Sequence, residues 1–313
     1  MNNNTRGIYF VISAMLIFSV QDVLIKLLSE DTSLFQILFF RSVLGTLFII
    51  LFLKLSGQVI RFGTAYPVLS ILRGFMFFFG YSAFYFAQSK MPIANATVLF
   101  LVSPFFITIM SVIFFKSTVG LQRWLTMLVG FSGVVFISQP EFGDFNLFYL
   151  LPVSVAFVYG LSMMIAKLTA EKDTVFQQII FMYMVTAILS GVLGLAIGDG
   201  RFDLPEFSEI QFMTHAWEFD QFFIISSLVA LSIIGSIGFL LLHSAYRTAD
   251  PATITPFEYS GLLPAILWGY LFWDNIPSQN EATGMVLIVG AGVYLFYREK
   301  LLNKTTASKS PLR

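Results

Sequence analysis

Four charged residues stand inside apolar runs where a charge is expensive: Asp22, Arg41, Arg73 and Glu258. A charge at the centre of a bilayer costs about 2.5–3.5 kcal/mol on insertion scales, so each marks a pairing, binding or proton-carrying role. At ~1.5 Å per helical residue, Asp22 and Arg41 lie roughly 9–10 Å below one membrane face. Arg73 and Glu258 lie at the same rough depth from the other face. Each acid could therefore pair with the arginine at its level, as a fixed ion pair or as part of a gate, and Asp22 also has Lys26 one turn on. Pro256 and Pro264 flank Glu258 and Tyr259, and proline loosens a helix by removing a hydrogen bond. A carboxylate in such a setting could carry a proton, which makes protons a candidate coupling ion. Tyr81, Tyr85, Tyr159, Tyr259 and Trp268 lie deep in apolar runs and bring polar groups that want partners. The substrate-binding candidates are thus Arg73, Tyr81, Tyr85, Tyr159, Glu258, Tyr259 and Trp268; Asp22, Arg41 and Glu258 are the coupling or gate candidates. His243, near the end of its run, reads as a satisfied interfacial histidine.

The elements that must position these residues are membrane helices. Hydrophobic residues make up 57% of the 313, charged residues 12%, and mean hydropathy is +0.81, which leaves too little charge to cover a soluble globule. A formal net charge of +0 argues against a nucleic-acid partner. Zero cysteines exclude disulfides and cysteine metal sites, and two histidines without a metal-binding spacing argue against a metalloenzyme. No catalytic residues, metal or cofactor are expected. Ten runs are long enough to span: 7–28, 34–55, 67–87, 92–115, 121–138, 146–168, 174–197, 222–246, 251–273 and 281–297. They do not alternate in polarity, so they read as helices rather than barrel strands. The fold class is an all-α polytopic membrane protein.

Thirteen basic residues fall on one side of this topology and three, Lys26, Lys90 and Arg201, on the other, which places both termini in the cytoplasm. Short matches recur in order: Phe35-Gln36 with Phe176-Gln177, Ala94 and Thr97 with Ala252 and Thr255, Gly133-Val134 with Gly292-Val293. Five spans per copy is odd, so the copies are inverted. The domains are 7–138 and 146–297, two five-helix repeats, followed by a basic tail, 298–313, that reads as disordered or in contact with lipid headgroups. The position equivalent to Glu258 in the first copy is Phe100, so an acid there is single. Gly130, Gly133 and Gly284 suit close packing of spans 5 and 10 as a scaffold or a homodimer surface. The acidic, aromatic loop 198–221 reads as lying in the headgroup plane.

The stretches Leu72-Arg73-Gly74 through Ala96-Thr97, Gln122-Arg123-Trp124 to Gly130-Phe131-Ser132-Gly133, and Pro256-Phe257-Glu258-Tyr259 resemble the drug/metabolite transporter superfamily, in its double EamA-repeat branch. The pattern Phe18, Asp22, Lys26, Gln36, Arg41 resembles the S-adenosylmethionine and riboflavin transporters of that branch. The resemblance covers about residues 7–297. It implies a secondary carrier without an ATPase domain, working in a bacterial inner membrane on a small organic metabolite, and the chain has no phosphate-binding glycine loop. The expected function is alternating-access transport of a riboflavin- or S-adenosylmethionine-like compound. An amino-acid or amino-acid-derivative exporter is the alternative within the superfamily. A non-transporting scaffold or receptor is the alternative of another class, and an intramembrane enzyme lacks a nucleophile–base or metal constellation.

Overall fold

The apolar runs fold as helices because a backbone in hydrocarbon must satisfy its hydrogen bonds within the segment. A computed structural model describes residues 3–91, 93–117, 119–138, 148, 150–203, 210–274 and 278–308, and every regular element among them is helical. In chain order these are α1 (Asn3–Leu28), α2 (Leu34–Leu55), α3 (Pro67–Lys90), α4 (Ile93–Phe100), α5 (Ser103–Phe115), α6 (Leu121–Ser138), α7 (Leu150–Leu168), α8 (Val175–Ile197), α9 (Gln211–Thr214), α10 (Phe222–Thr248), α11 (Pro251–Ile254), α12 (Leu262–Trp273) and α13 (Gln279–Ser308). Seven helical stretches are long and apolar enough to cross a membrane, so this is a multi-pass membrane protein. Apart from the Thr174 cap and the turn at Leu101-Val102, the described residues of all ten apolar runs are helical.

Local chemistry sets the ends. The Ser33 hydroxyl accepts from the Phe35 amide at the start of α2, and Thr174 with Gln177 forms a reciprocal cap that opens α8. Pro67, Pro104 and Pro251 occupy first turns, where the missing N–H costs nothing. Two runs are broken. Leu101-Val102 turns between α4 and α5, ahead of Pro104. A 3-10 segment, Thr255–Gly261, separates α11 from α12, and it contains Pro256 and Glu258. The second break holds a functional candidate on loosened backbone.

Helix α1 packs along α10, α2 along α8, α3 against α7 and α8, and α6 along α13. The α6–α13 contact is close because Gly133 has no side chain: a Cβ there would stand 2.7 Å from the Gly284 carbonyl oxygen. The tail differs from its sequence reading, since α13 continues to Ser308 and carries the helix into it; residues 309–313 lie outside the described residues. The loop after α8 also differs. Trp217 packs against Phe39 and Phe40, and Phe212 is buried with Ile25, Leu28 and Leu34. The Gln36 side chain clamps the Glu218 backbone from both sides, donating to its carbonyl at 2.6 Å and accepting from its amide at 2.9 Å. Its described residues thus fold down onto the end of the bundle, because four apolar rings and a satisfied amide hold better there than in a headgroup layer; residues 204–209 lie outside them.

Candidate functional site

A cavity with about 980 Å³ of space unfilled by atoms, part of it open to solvent, lies between α1, α3, α7, α10 and the broken α4 and α11–α12 segments. Its wall is mostly aromatic and aliphatic, including Phe18, Phe77, Tyr81, Phe100, Tyr159 and Phe239. Two carboxylates reach it, Asp22 from α1 and Glu258 from the 3-10 break.

Glu258 is 1% exposed and sits in a collar of neutral hydroxyls. Tyr159 donates to Oε1 at 2.7 Å, Tyr246 donates to the same oxygen, and the Ser103 hydroxyl approaches Oε2 at 3.4 Å. Tyr159 and Tyr246 come from continuous helices and Ser103 from the α4–α5 break, so both broken runs meet at this acid. Three donors suit an ionised carboxylate, which only accepts.

The pairing of Glu258 with Arg73 does not occur. Arg73 instead donates to His243 Nε2 at 2.6 Å and reaches Ser162 Oγ at 3.4 Å. Equal depth fixes a level in the membrane but not a partner: Arg73 and Glu258 both reach α7 and α10 but at different residues, Arg73 at Ser162 and His243 and Glu258 at Tyr159 and Tyr246. Arginine only donates, so Nε2 of His243 must accept and Nδ1 carries the proton, given to the Phe239 carbonyl at 3.0 Å. Both ring nitrogens are used, and the neutral ring of His243 forms part of the cavity wall. It is fully buried rather than interfacial.

Asp22 and Arg41 are likewise not in direct contact: among the described residues no ion pair joins them, although each feels the other's charge through space. The Arg41 guanidinium donates to the Tyr85 hydroxyl and lies 5.0 Å from the Tyr81 ring centre, 5.2 Å from Phe239 and 5.7 Å from Phe77. Those three rings are the cavity wall, so Arg41 sits behind it. Gln21 donates to the same Tyr85 oxygen at 2.9 Å. The rings hold Arg41 in place of Asp22 because cation–π contacts compensate a buried guanidinium without a second buried charge.

Of the other candidates, Tyr81 and Tyr159 line the cavity, while Tyr85 is buried beside it as the acceptor for Arg41. Trp268 lies one shell out, its Nε1 donating at 3.0 Å to Ser19, which does reach the cavity. Tyr259 turns away: its ring packs where a Cβ on Gly130 would stand, 2.8 Å from Tyr259 Cε2, so it belongs to the α6 contact. The sequence reading passed over Tyr246, Ser103 and Gln21, and it set His243 aside as interfacial. Tyr246 and His243 are three apart on α10 and so share a face, which is the one pattern that could have flagged them.

Residues 5–139 match the EamA-like transporter family. The chain carries an EamA-like transporter domain. Curated relatives align over most of the chain, and their names are those of transporters rather than enzymes. The S-adenosylmethionine uptake transporter of Rickettsia bellii is 26% identical over 294 residues, 94% of each chain. The pseudopaline exporter CntI of Pseudomonas aeruginosa is 26% identical over 297 residues, 94% of this chain and 97% of that one. The riboflavin transporter of Vibrio cholerae is 27% identical over 221 residues, 70% and 68% of the two chains. A solved crystal structure, 18% identical, superposes with a TM-score of 0.74 over 94% of this chain and 98% of that one, so the fold is shared.

Proposed function

We propose that this protein is a secondary transporter that moves a small organic metabolite across a bacterial inner membrane by alternating access. In this reading ten spans form two inverted five-helix repeats, 7–138 and 146–297, with both termini and the 298–313 tail in the cytoplasm. The observation that carries it is the cavity: an aromatic chamber inside the bundle, floored by two broken helices that converge on Glu258. Broken spans at a central site are what a rocking carrier uses to bind without a continuous pore. The substrate we favour is S-adenosylmethionine-like, supported by the relatives of that name and by flat rings beside acids; riboflavin is the second reading, supported by the same rings.

Protons are the proposed coupling ion, with Glu258 as carrier. Proteoliposomes holding the purified protein, given S-adenosylmethionine, riboflavin and aromatic amino acids with and without a pH gradient, test both points. Saturable uptake of one solute above empty liposomes is expected. Glu258→Gln should abolish gradient-driven accumulation and keep exchange; accumulation equal to wild type would remove Glu258 from coupling.

A further inference from the structure

The walls of the cavity sort charge by sign. Both acids face inward, Glu258 among neutral hydroxyls and Asp22 on the α1 wall. Both buried arginines at those levels are held outside, Arg41 behind the rings and Arg73 behind His243, and neither lines the cavity. His243, with both nitrogens engaged and Arg73 on one of them, presents a neutral ring, because a proton there would set two cations against each other. Among the described residues no basic side chain meets either acid within ion-pair distance. The arginines act on the acids only from behind the wall, so a cation that enters the chamber would be the first to touch either carboxylate, in a setting where a close charge pair is strong.

The two acids are not one cluster. Gly261, three residues beyond Glu258, packs on Met15, and Asp22 lies seven residues further along α1, roughly 10 Å of helix. That is about the length of a small metabolite with a charged group at each end. The rings between have a defined part to play. Phe77, Tyr81 and Phe239 already face the Arg41 guanidinium, which draws on their electron density and weakens their pull on a second cation, while leaving them able to stack on a flat ring.

We propose that Asp22 and Glu258 are two stations that read positive charge on the ligand, so that the cavity selects a flat-ringed organic cation over its neutral analogue. This rests on the transporter reading and sharpens it to a substrate class. The division of labour is that the acids recognise the cationic centre and the ring wall recognises the planar part.

S-adenosylmethionine and S-adenosylhomocysteine differ by one methyl group and the sulfonium charge it creates, so they isolate the property in question. Titration calorimetry on the full chain in lipid nanodiscs, with riboflavin as a neutral flat control, should show S-adenosylmethionine binding at least about tenfold more tightly than S-adenosylhomocysteine. Asp22→Asn and Glu258→Gln should each shrink that ratio several-fold, and Glu258→Asp, which keeps the charge, should retain most of it. Equal affinity of the two adenosyl compounds in the wild type, or an unchanged ratio in both amide variants, would overturn the proposal. So would binding of riboflavin with none of S-adenosylmethionine, an outcome that leaves the transporter reading standing. If an amide variant does not fold, the wild-type ratio still decides the matter.

Discussion

The Asp22–Arg41 end and the Glu258–Arg73 end of the cavity use the same residue types and solve burial differently. At the Glu258 end the acid has three hydroxyls and the arginine has a histidine and a serine, so partners are shared among many side chains. At the Asp22 end the arginine leans on one acceptor, the Tyr85 oxygen, and on four rings; its Nε and Nη2 meet no acceptor of good geometry among the described residues. A site with redundant partners keeps its shape when one is lost, whereas a site with one partner does not. The Glu258 end is therefore the better place to hold a ligand, and the Asp22 end the better place to rearrange.

The largest expected effect follows from that contrast. Tyr85→Phe removes the single acceptor of Arg41 and of Gln21, and should destabilise the protein by about 2–3 kcal/mol, the cost of leaving a buried charged donor unmatched. Tyr159→Phe leaves Glu258 with Tyr246 and Ser103, and should cost about 1 kcal/mol. Thermal melts of the two variants side by side decide it; equal losses would mean that the two ends are equally redundant.

Next in size are two double-mutant cycles. Arg73→Met with His243→Asn should show coupling of about 1–2 kcal/mol, because the two side chains touch. Asp22→Asn with Arg41→Met should be additive to within about 0.5 kcal/mol, because those two do not. Strong coupling in the second cycle would show that Asp22 and Arg41 pair directly in another conformation the protein visits.

Much of the fold was legible because membrane helices announce themselves by length and apolarity, and because Pro256 and Pro264 marked the loosened run at Glu258; the break ahead of Pro104 was not read from the sequence. The four buried charges were legible for the same reason: each interrupts a hydrophobic run. Their partners were not. Depth along a span follows from counting residues, but which way Arg73 points depends on how α3 rotates in the bundle, and its neighbour Gly74 packs directly on Val185 of α8, a contact that the order of the sequence does not reveal. Tyr259 faces α6 rather than the cavity for a related reason, since adjacency to Glu258 in a 3-10 segment sends the next side chain to another face. The partners of Glu258 are tyrosines and a serine, residue types too common in such helices to stand out.

The smallest expected effect lies outside the membrane spans, in the loop after α8. There slight burial raises the Asp203 carboxyl, but hydrogen bonds from His215 at 3.0 Å and Gln211 at 3.0 Å outweigh it and hold the group below its ordinary value. A depressed carboxyl contributes stability that is present above its unfolded-state value and is lost as pH falls through the folded-state one. Asp203→Asn should thus lower the melting temperature slightly at neutral pH and make no difference in acid; a gap that persists in acid would rule the carboxylate out as its source. The group is partly exposed and screened by solvent, so the effect is expected to be small.

The central claim, that the aromatic chamber is the transport path, has a direct test because the natural chain contains no cysteine. Thr97 lines the chamber and its hydroxyl has no hydrogen-bond partner among the described residues, so Thr97→Cys places a single thiol there with little disturbance. In proteoliposomes, a membrane-impermeant thiol reagent should label that cysteine, stop uptake of the transported solute, and do so more slowly when the solute is present. Labelling that leaves uptake unchanged, or that proceeds at the same rate with and without saturating solute, would contradict the account.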